Sequence, residues 1–289
     1  MPSKTKAINK VKKTRKNINH NDTFNSIAEI MARLGYGSRG LIYFVMGLLA
    51  LLISLGNGGN TTDQQGTIAT IGQQPQGRIL LWLILIGLIC YSLWGLIEAV
   101  LNPLHKDNDI KGVAKRVVYL FISISYFILA LATYSLITGG ARPAHNGKQN
   151  IQTKSYVAKL LTMPLGQSMV FLVAIIVILA GIFQVYKGIM PRFGQQLYLI
   201  KLTQAQLKWV KDFGRFGTIS RGIIIILIGI FLIIAAYTSN SNEAKGLDSA
   251  LMSLVHQPYG IWLMGSIALG LMSFGVYSLL IALFFRLRK

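Results

Sequence analysis

The sequence predicts an all-α integral membrane protein whose six transmembrane helices form three parallel two-helix repeats. Composition is the first observation behind this. Of 289 residues, 53% are hydrophobic and only 13% are charged, about half the charged share of an ordinary soluble domain. Distribution is the second. The apolar residues lie in continuous blocks approaching the ~20 residues that carry a helix across a bilayer. They lack the in-out alternation of a transmembrane barrel. Repetition is the third. RLGYGSRG at 33–40 returns as RFGTISRG at 215–222, identical at five of eight positions, and each copy stands before an apolar block.

The blocks place spans at about 40–55, 79–100, 117–137, 168–186, 221–237 and 259–285. The first and fifth are short. They reach spanning length only if the helix begins inside the repeated phrase. The stretches ahead of that phrase read as amphipathic helices lying in the membrane interface. Asp22 and Thr23 can cap one that carries Phe24, Ile27, Met31 and Leu34 at helical spacing. Thr203 and Gln206 fit a capping box ahead of Leu207, Val210 and Phe213. Residues 1–20 form a Lys-rich tail without apolar clusters and are expected to be disordered. The units are then the tail (1–20) and repeats over 21–104, 105–192 and 193–289.

The repeats carry internal marks. A shift of 182 residues lays 215–222 on 33–40, and Arg221 on Arg39. A fainter copy at 112–119 puts Lys115 in the place of Arg39 and Tyr119 in that of Tyr43. Pro-x-Gly precedes each returning span, as Pro75 with Gly77, Pro164 with Gly166 and Pro258 with Gly260. Proline is well placed at a first helical position, so each motif reads as a helix start. Glycines such as Gly35, Gly40, Gly87 and Gly270 suit close helix packing. An aromatic residue follows the motif's glycine at a fixed distance: Trp94, Phe183 and Tyr277. Each unit crosses twice, so all copies share one orientation, about an axis along the membrane normal. A pseudo-threefold bundle follows as an expectation, with Arg39, Lys115 and Arg221 ringing its inner mouth.

Net charge is +20, yet its distribution argues against nucleic acid. Of 29 Lys and Arg, 23 lie on the side that holds both termini. The positive-inside rule then makes both termini cytoplasmic, in a bacterial-type plasma membrane. The basic tail lacks aromatic residues for base stacking and is expected to lie on anionic headgroups. The single cysteine, Cys90, excludes an internal disulfide and reads as a small apolar residue. His20, His105, His145 and His256 show no metal spacing. No catalytic constellation and no cofactor motif is present, so no enzymatic activity is expected.

Several of these marks together resemble domain-of-unknown-function family 1206. They are Arg-x-Gly-Tyr-x-x-Arg-Gly, Pro-x-Gly before the second span, Gly-Leu-x-x-Tyr-x-Leu-Trp at 87–94, and Gln184, Tyr186 and Lys187 late in the fourth span. The resemblance covers almost everything after residue 24 and implies tandem helix pairs occurring three times. It implies no activity. Where the family pattern places a basic residue after the Trp of the first repeat, this chain has Gly95.

Two groups of residues carry candidate chemistry. Arg39, Lys115 and Arg221 either anchor helix ends by reaching toward headgroups or share a cationic site for an anionic lipid or solute, with Ser38 and Ser220 as hydroxyl donors. Glu98 and Lys187 share one register late in the second and fourth spans, a candidate intramembrane ion pair, with Gln184 one turn inward. The reading that follows is a non-enzymatic scaffold or accessory protein acting through membrane lipids, anionic headgroups above all, or a membrane protein partner. The alternative is a small transporter or channel passing an anionic solute along the axis.

Overall fold

The computed structural model describes residues 3–56, 63–100, 110–139, 148–190, 203–255 and 257–285. Within them the chain forms helices α1 (Ser3–Ser54), α2 (Gln64–Gly72), α3 (Gly77–Val100), α4 (Ile110–Ile137), α5 (Lys148–Leu161), α6 (Gly166–Ile189), α7 (Gln204–Tyr237), α8 (Leu247–Val255) and α9 (Gly260–Phe284). Six are long and apolar enough to cross a membrane: Ser26–Ser54, Gly77–Val100, Arg116–Ile137, Gly166–Ile189, Ala205–Tyr237 and Gly260–Phe284. The protein is therefore an integral membrane protein with six candidate spans. The ends of α3, α6 and α9 lie at one end of the bundle, called here the terminal end. The other, the hairpin end, carries α2, α5 and α8.

The helices of the first and fifth spans begin well before the repeated phrase, which lies wholly inside α1 and α7. The stretches read as separate interfacial helices are instead continuous with the spans that follow. The reason is local: a helix tolerates Gly35, Gly37 and Gly40 where neighbouring helices pack on them, and no proline interrupts either run. Asp22 and Thr23 accordingly start no helix. The tail expected to be disordered is helical from Ser3, in a run free of Gly and Pro until Gly35. The capping box at Thr203 does form: Gln206 donates its backbone N–H to Thr203 Oγ1 and accepts from the Thr203 N–H through Oε1.

The sequence reading did not foresee α2, α5 and α8. Each is a short helix that ends in the Pro-x-Gly turn. In all three turns the glycine N–H donates to the carbonyl three residues back: Gly77 to Gln74 at 2.8 Å, Gly166 to Met163 at 2.9 Å and Gly260 to Gln257 at 2.8 Å. The proline thus occupies the second position of a β-turn, and the glycine, rather than the proline, is the first residue of the span. Leu165 and Tyr259 take the left-handed conformation at the third position (φ 63° and 61°). The glycine is required by close approach. A Cβ at Gly77, Gly166 or Gly260 would run into the carbonyl of Ile71, Leu160 or Leu254, six residues earlier in each case.

Packing between the spans follows small residues, as expected where lipid removes the hydrophobic drive for association. The helices neighbour one another in the order α4, α3, α1, α9, α7, α6. Two crossings recur. Within the first hairpin, Gly35 receives Tyr91 and Gly87 receives Ser38; within the third, Gly217 receives Phe274 and Gly270 receives Ser220. Between hairpins, Gly40 crosses Gly275 and Gly222 crosses Gly181. The equivalent crossing of α4 on α3 is Ser123 on Ser92, joined by reciprocal hydroxyl-to-carbonyl bonds of 2.9 and 2.7 Å.

That crossing fixes the register of the second repeat. Ser123 stands where Gly40 stands, so Tyr119 and Tyr126 match Tyr36 and Tyr43. The faint copy read at Lys115 is displaced by seven residues. Ile122, not Lys115, occupies the position of Arg39. In this register the second hairpin lacks both glycine sockets. Val118 and Phe121 replace Gly35 and Ser38, while Ile176 and Ala180 replace Gly87 and Tyr91. Among the described residues α4 and α6 share at most a marginal contact. Val118, Phe121 and Ile176 are 55%, 67% and 57% exposed. The set of six spans is therefore open along one seam, between α4 and α6.

Candidate functional site

The repeated phrase serves a different neighbour at each position. Arg33 bonds Glu29 at 2.8 Å and donates through Nε to the Phe285 carbonyl at 2.9 Å, satisfying the end of α9. Arg215 does the same for α6, donating to the carbonyls of Ile189 and Met190 at 3.1 and 3.3 Å. Helix ends leave such carbonyls unpaired, and a basic side chain there is favourable. The glycines and serines of the phrase form the sockets already described. The last arginine remains, and it points to none of these.

Arg39 and Arg221 lie well inside the bundle. Both stand against Phe274, which is 14 residues from the start of α9 and 10 from its end, and Arg39 also stands against Tyr91, 14 residues from the start of α3 and 9 from its end. At ~1.5 Å per residue these partners are about 13 Å or more from either end of their helices. The two arginines therefore sit deeper than Arg33 and Arg215, which bond the helix ends. Arg39 donates through a terminal guanidinium nitrogen to the Tyr91 hydroxyl at 2.7 Å. Its guanidinium also lies 4.5 Å from the Phe274 ring centre, 5.7 Å from that of Tyr91 and 5.9 Å from that of Tyr43. Arg221 shares two of the same rings, at 5.3 Å from Phe274 and 5.4 Å from Tyr43.

The cage is built from edge-on aromatic contacts. Tyr91 meets Tyr126 at 4.5 Å and Tyr36 at 5.4 Å, and Tyr43 meets Phe274 at 4.9 Å, all near perpendicular. Such pairs favour the edge-to-face arrangement electrostatically. From the hairpin end, Gln64 of α2 donates to the Tyr43 hydroxyl at 2.7 Å, so a cap helix is tied into the cage. The Tyr126 hydroxyl is buried without a hydrogen-bond partner, and so is Arg39 Nε. That hydroxyl lies within electrostatic reach of both Arg39 and Arg221.

Charge balance decides what this arrangement does. Neither Arg39 nor Arg221 has an ion-pair partner among the described residues. An arginine at the centre of a spanning helix costs about 3 kcal/mol to insert. Aromatic faces return about 1–2 kcal/mol each time a guanidinium is desolvated against them. Two like charges beside the same two rings are thus under-compensated. An oxyanion would offset the deficit, and planar guanidinium donors suit phosphate or carboxylate.

The other expected residues fall elsewhere. Ser38 and Ser220, which immediately precede the two arginines, are packed into the sockets at Gly87 and Gly270. The Lys115 side chain lies outside the described residues, and its backbone sits two turns toward the terminal end from Ile122. Glu98 is fully buried on α3, whereas Lys187 is exposed on α6. Those helices share at most a marginal contact among the described residues, which lends the expected pair no support. Gln184 is half-buried and lies nearer the terminal end than the arginines. His105, His145 and His256 lie outside the described residues. Sequence reasoning missed the tyrosines as site residues. Their signal was the seven-residue spacing shared by Tyr36 and Tyr43 with Tyr119 and Tyr126.

The model of the family described as Domain of Unknown Function (DUF1206) matches this chain three times, over residues 34–102, 111–190 and 216–284. These bounds reproduce the three hairpins. A relative from Bacillus subtilis (strain 168), named Uncharacterized protein YxxB, is 30% identical over 248 residues, 86% of this chain and 88% of the relative. No solved structure matches.

Proposed function

The chain belongs to the DUF1206 family, and for it we propose a non-enzymatic role: a membrane protein that binds an anion, phosphate-bearing or carboxylate-bearing, within the bilayer through Arg39 and Arg221. One observation carries the reading. Two half-buried arginines deep between the spans share an aromatic cage, and no carboxylate pairs with either among the described residues. The Tyr91 and Tyr126 hydroxyls add neutral donors to the same space. On the hairpin side of the guanidiniums, Met46, Ile224 and Leu271 are almost fully buried between α1, α7 and α9. That packing favours a binding site over a path straight through the membrane. Anionic headgroups and membrane partners are the expected company of such a protein, in a plasma membrane with both termini cytoplasmic.

Purification in native lipid particles tests the reading. Mass spectrometry of the wild-type protein should find a phosphate- or carboxylate-bearing species enriched over bulk membrane. Arg39→Gln and Arg221→Gln should each reduce that enrichment about tenfold, the scale of one lost charge-assisted contact. An equal anion content in wild type and both variants would sink the proposal.

A further inference from the structure

We infer that the anion is carried by a diacyl phospholipid, which enters sideways through the seam between α4 and α6 and lays one acyl chain in a cavity on the α4 face. This deepens, and rests on, the reading of Arg39 and Arg221 as an anion site. The seam itself is the first observation. Every other junction between neighbouring spans is closed by a small-residue crossing, and this one alone has large exposed side chains at the equivalent positions. An amphiphile can pass there from the bilayer with its chains still in hydrocarbon, which a soluble anion cannot do.

The cavity is the second observation. It has a volume of about 320 Å³ and lies between α4 and the short helices α2 and α5, which bridge the hairpin end of the seam. Its apolar lining includes Ile68 and Ala69 of α2 with Leu129, Leu131, Ala132 and Leu136 of α4. That volume is at the lower bound for pockets that hold small ligands, ~300 Å³. Cage and cavity adjoin along α4. Tyr126 faces the cage, and Leu129 and Thr133, one and two turns on, line the cavity, a run of ~10 Å. A group with charge at one end and hydrocarbon at the other fits this order. A free anion leaves the apolar half unused, and a neutral lipid leaves the guanidiniums unbalanced.

The test uses the full chain in phosphatidylcholine nanodiscs doped with phosphatidylglycerol, with retained lipid counted by native mass spectrometry. The wild type should retain phosphatidylglycerol over phosphatidylcholine by about tenfold or more. Neither soluble glycerol 3-phosphate nor inorganic phosphate should displace it at matched concentration. Ala132→Phe, which fills the cavity and leaves both arginines in place, should lose most of the preference. Displacement by glycerol 3-phosphate as readily as by lipid overturns lateral entry while leaving the anion site standing. Full retention by Ala132→Phe overturns the chain's placement in the cavity. No preference for either anionic form in wild type overturns the anion reading itself. The competition arm needs no substitution, so a misfolded variant cannot decide the outcome.

Discussion

The first and third hairpins are closed, and the second is open. All three follow the same plan: a long span, a short cap helix, a Pro-x-Gly turn and a returning span. The difference lies in four positions. Glycine sockets at 35, 87, 217 and 270 admit Tyr91, Ser38, Phe274 and Ser220. Their counterparts in the second hairpin are Val118, Ile176, Ala180 and Phe121. Helices in a bilayer associate through close packing of small residues. Large residues at the crossing therefore remove the reason for α4 and α6 to touch. The comparison teaches that a repeat can keep its topology while a few side chains turn a packed junction into a window.

The largest expected effect comes from breaking a closed hairpin. Gly217→Leu would drive a side chain into the Phe274 backbone, which lies 2.5–2.6 Å from where the new Cβ would stand. Overpacking at such a site costs ~3 kcal/mol or more. Thermal unfolding in detergent should show loss of the folded protein, whereas Val118→Leu, at the exposed counterpart of Gly35, should stay within ~0.5 kcal/mol of wild type.

The converse change should close the window. Combining Val118→Gly and Phe121→Ser with Ile176→Gly and Ala180→Tyr rebuilds both sockets in the second hairpin. It should raise stability by ~1–2 kcal/mol, the scale of an added interhelical contact. It should also let bifunctional reagents join cysteines placed across α4 and α6, in a chain lacking Cys90. Unchanged cross-linking against wild type would show that these residues do not hold the seam apart.

A smaller effect separates the Pro-x-Gly turns. Leu165 is left-handed, but Gln76, its counterpart in the first repeat, is not among the positive-φ residues. Leu165→Gly should stabilise by ~0.5–1 kcal/mol by relieving that conformation, and Gln76→Gly should not. Equal shifts in melting temperature would contradict the assignment.

The smallest effect is electrostatic. Asp248, at the start of α8, is buried, and burial raises its pKa, with Asp63 adding to the rise and Lys154 opposing it. A carboxyl whose folded pKa lies above its unfolded value favours the folded state at low pH and loses that contribution as pH rises through the folded value. Asp248→Asn should therefore melt slightly higher than wild type at neutral pH, and the gap should narrow on acidification. A gap that widens on acidification would reverse the sign.

Much of the fold was legible in the sequence. Block hydrophobicity located the spans, and the family resemblance, carried by RLGYGSRG and Pro-x-Gly, is upheld by three tandem matches. The cap helices α2, α5 and α8 were not legible, because short helices without strong periodicity look like polar loops. The site was half legible. Arg39 and Arg221 stand out by repetition, but their depth does not, since nothing local ends a helix at the phrase. Lys115 resembles Arg39 in charge, yet packing places Ile122 at that position.

What the amino-acid order determined by itself was everything local or periodic. Continuous apolar runs demand helices that cross, proline and glycine demand a turn where they stand, and repeated phrases demand repeated hairpins. Only the tertiary structure decided the register of the second repeat, the depth of the arginines and the opening between α4 and α6. Each depends on which residue of one helix meets which residue of another. That is a matter of side-chain volume at a crossing, and no single segment contains both halves of it.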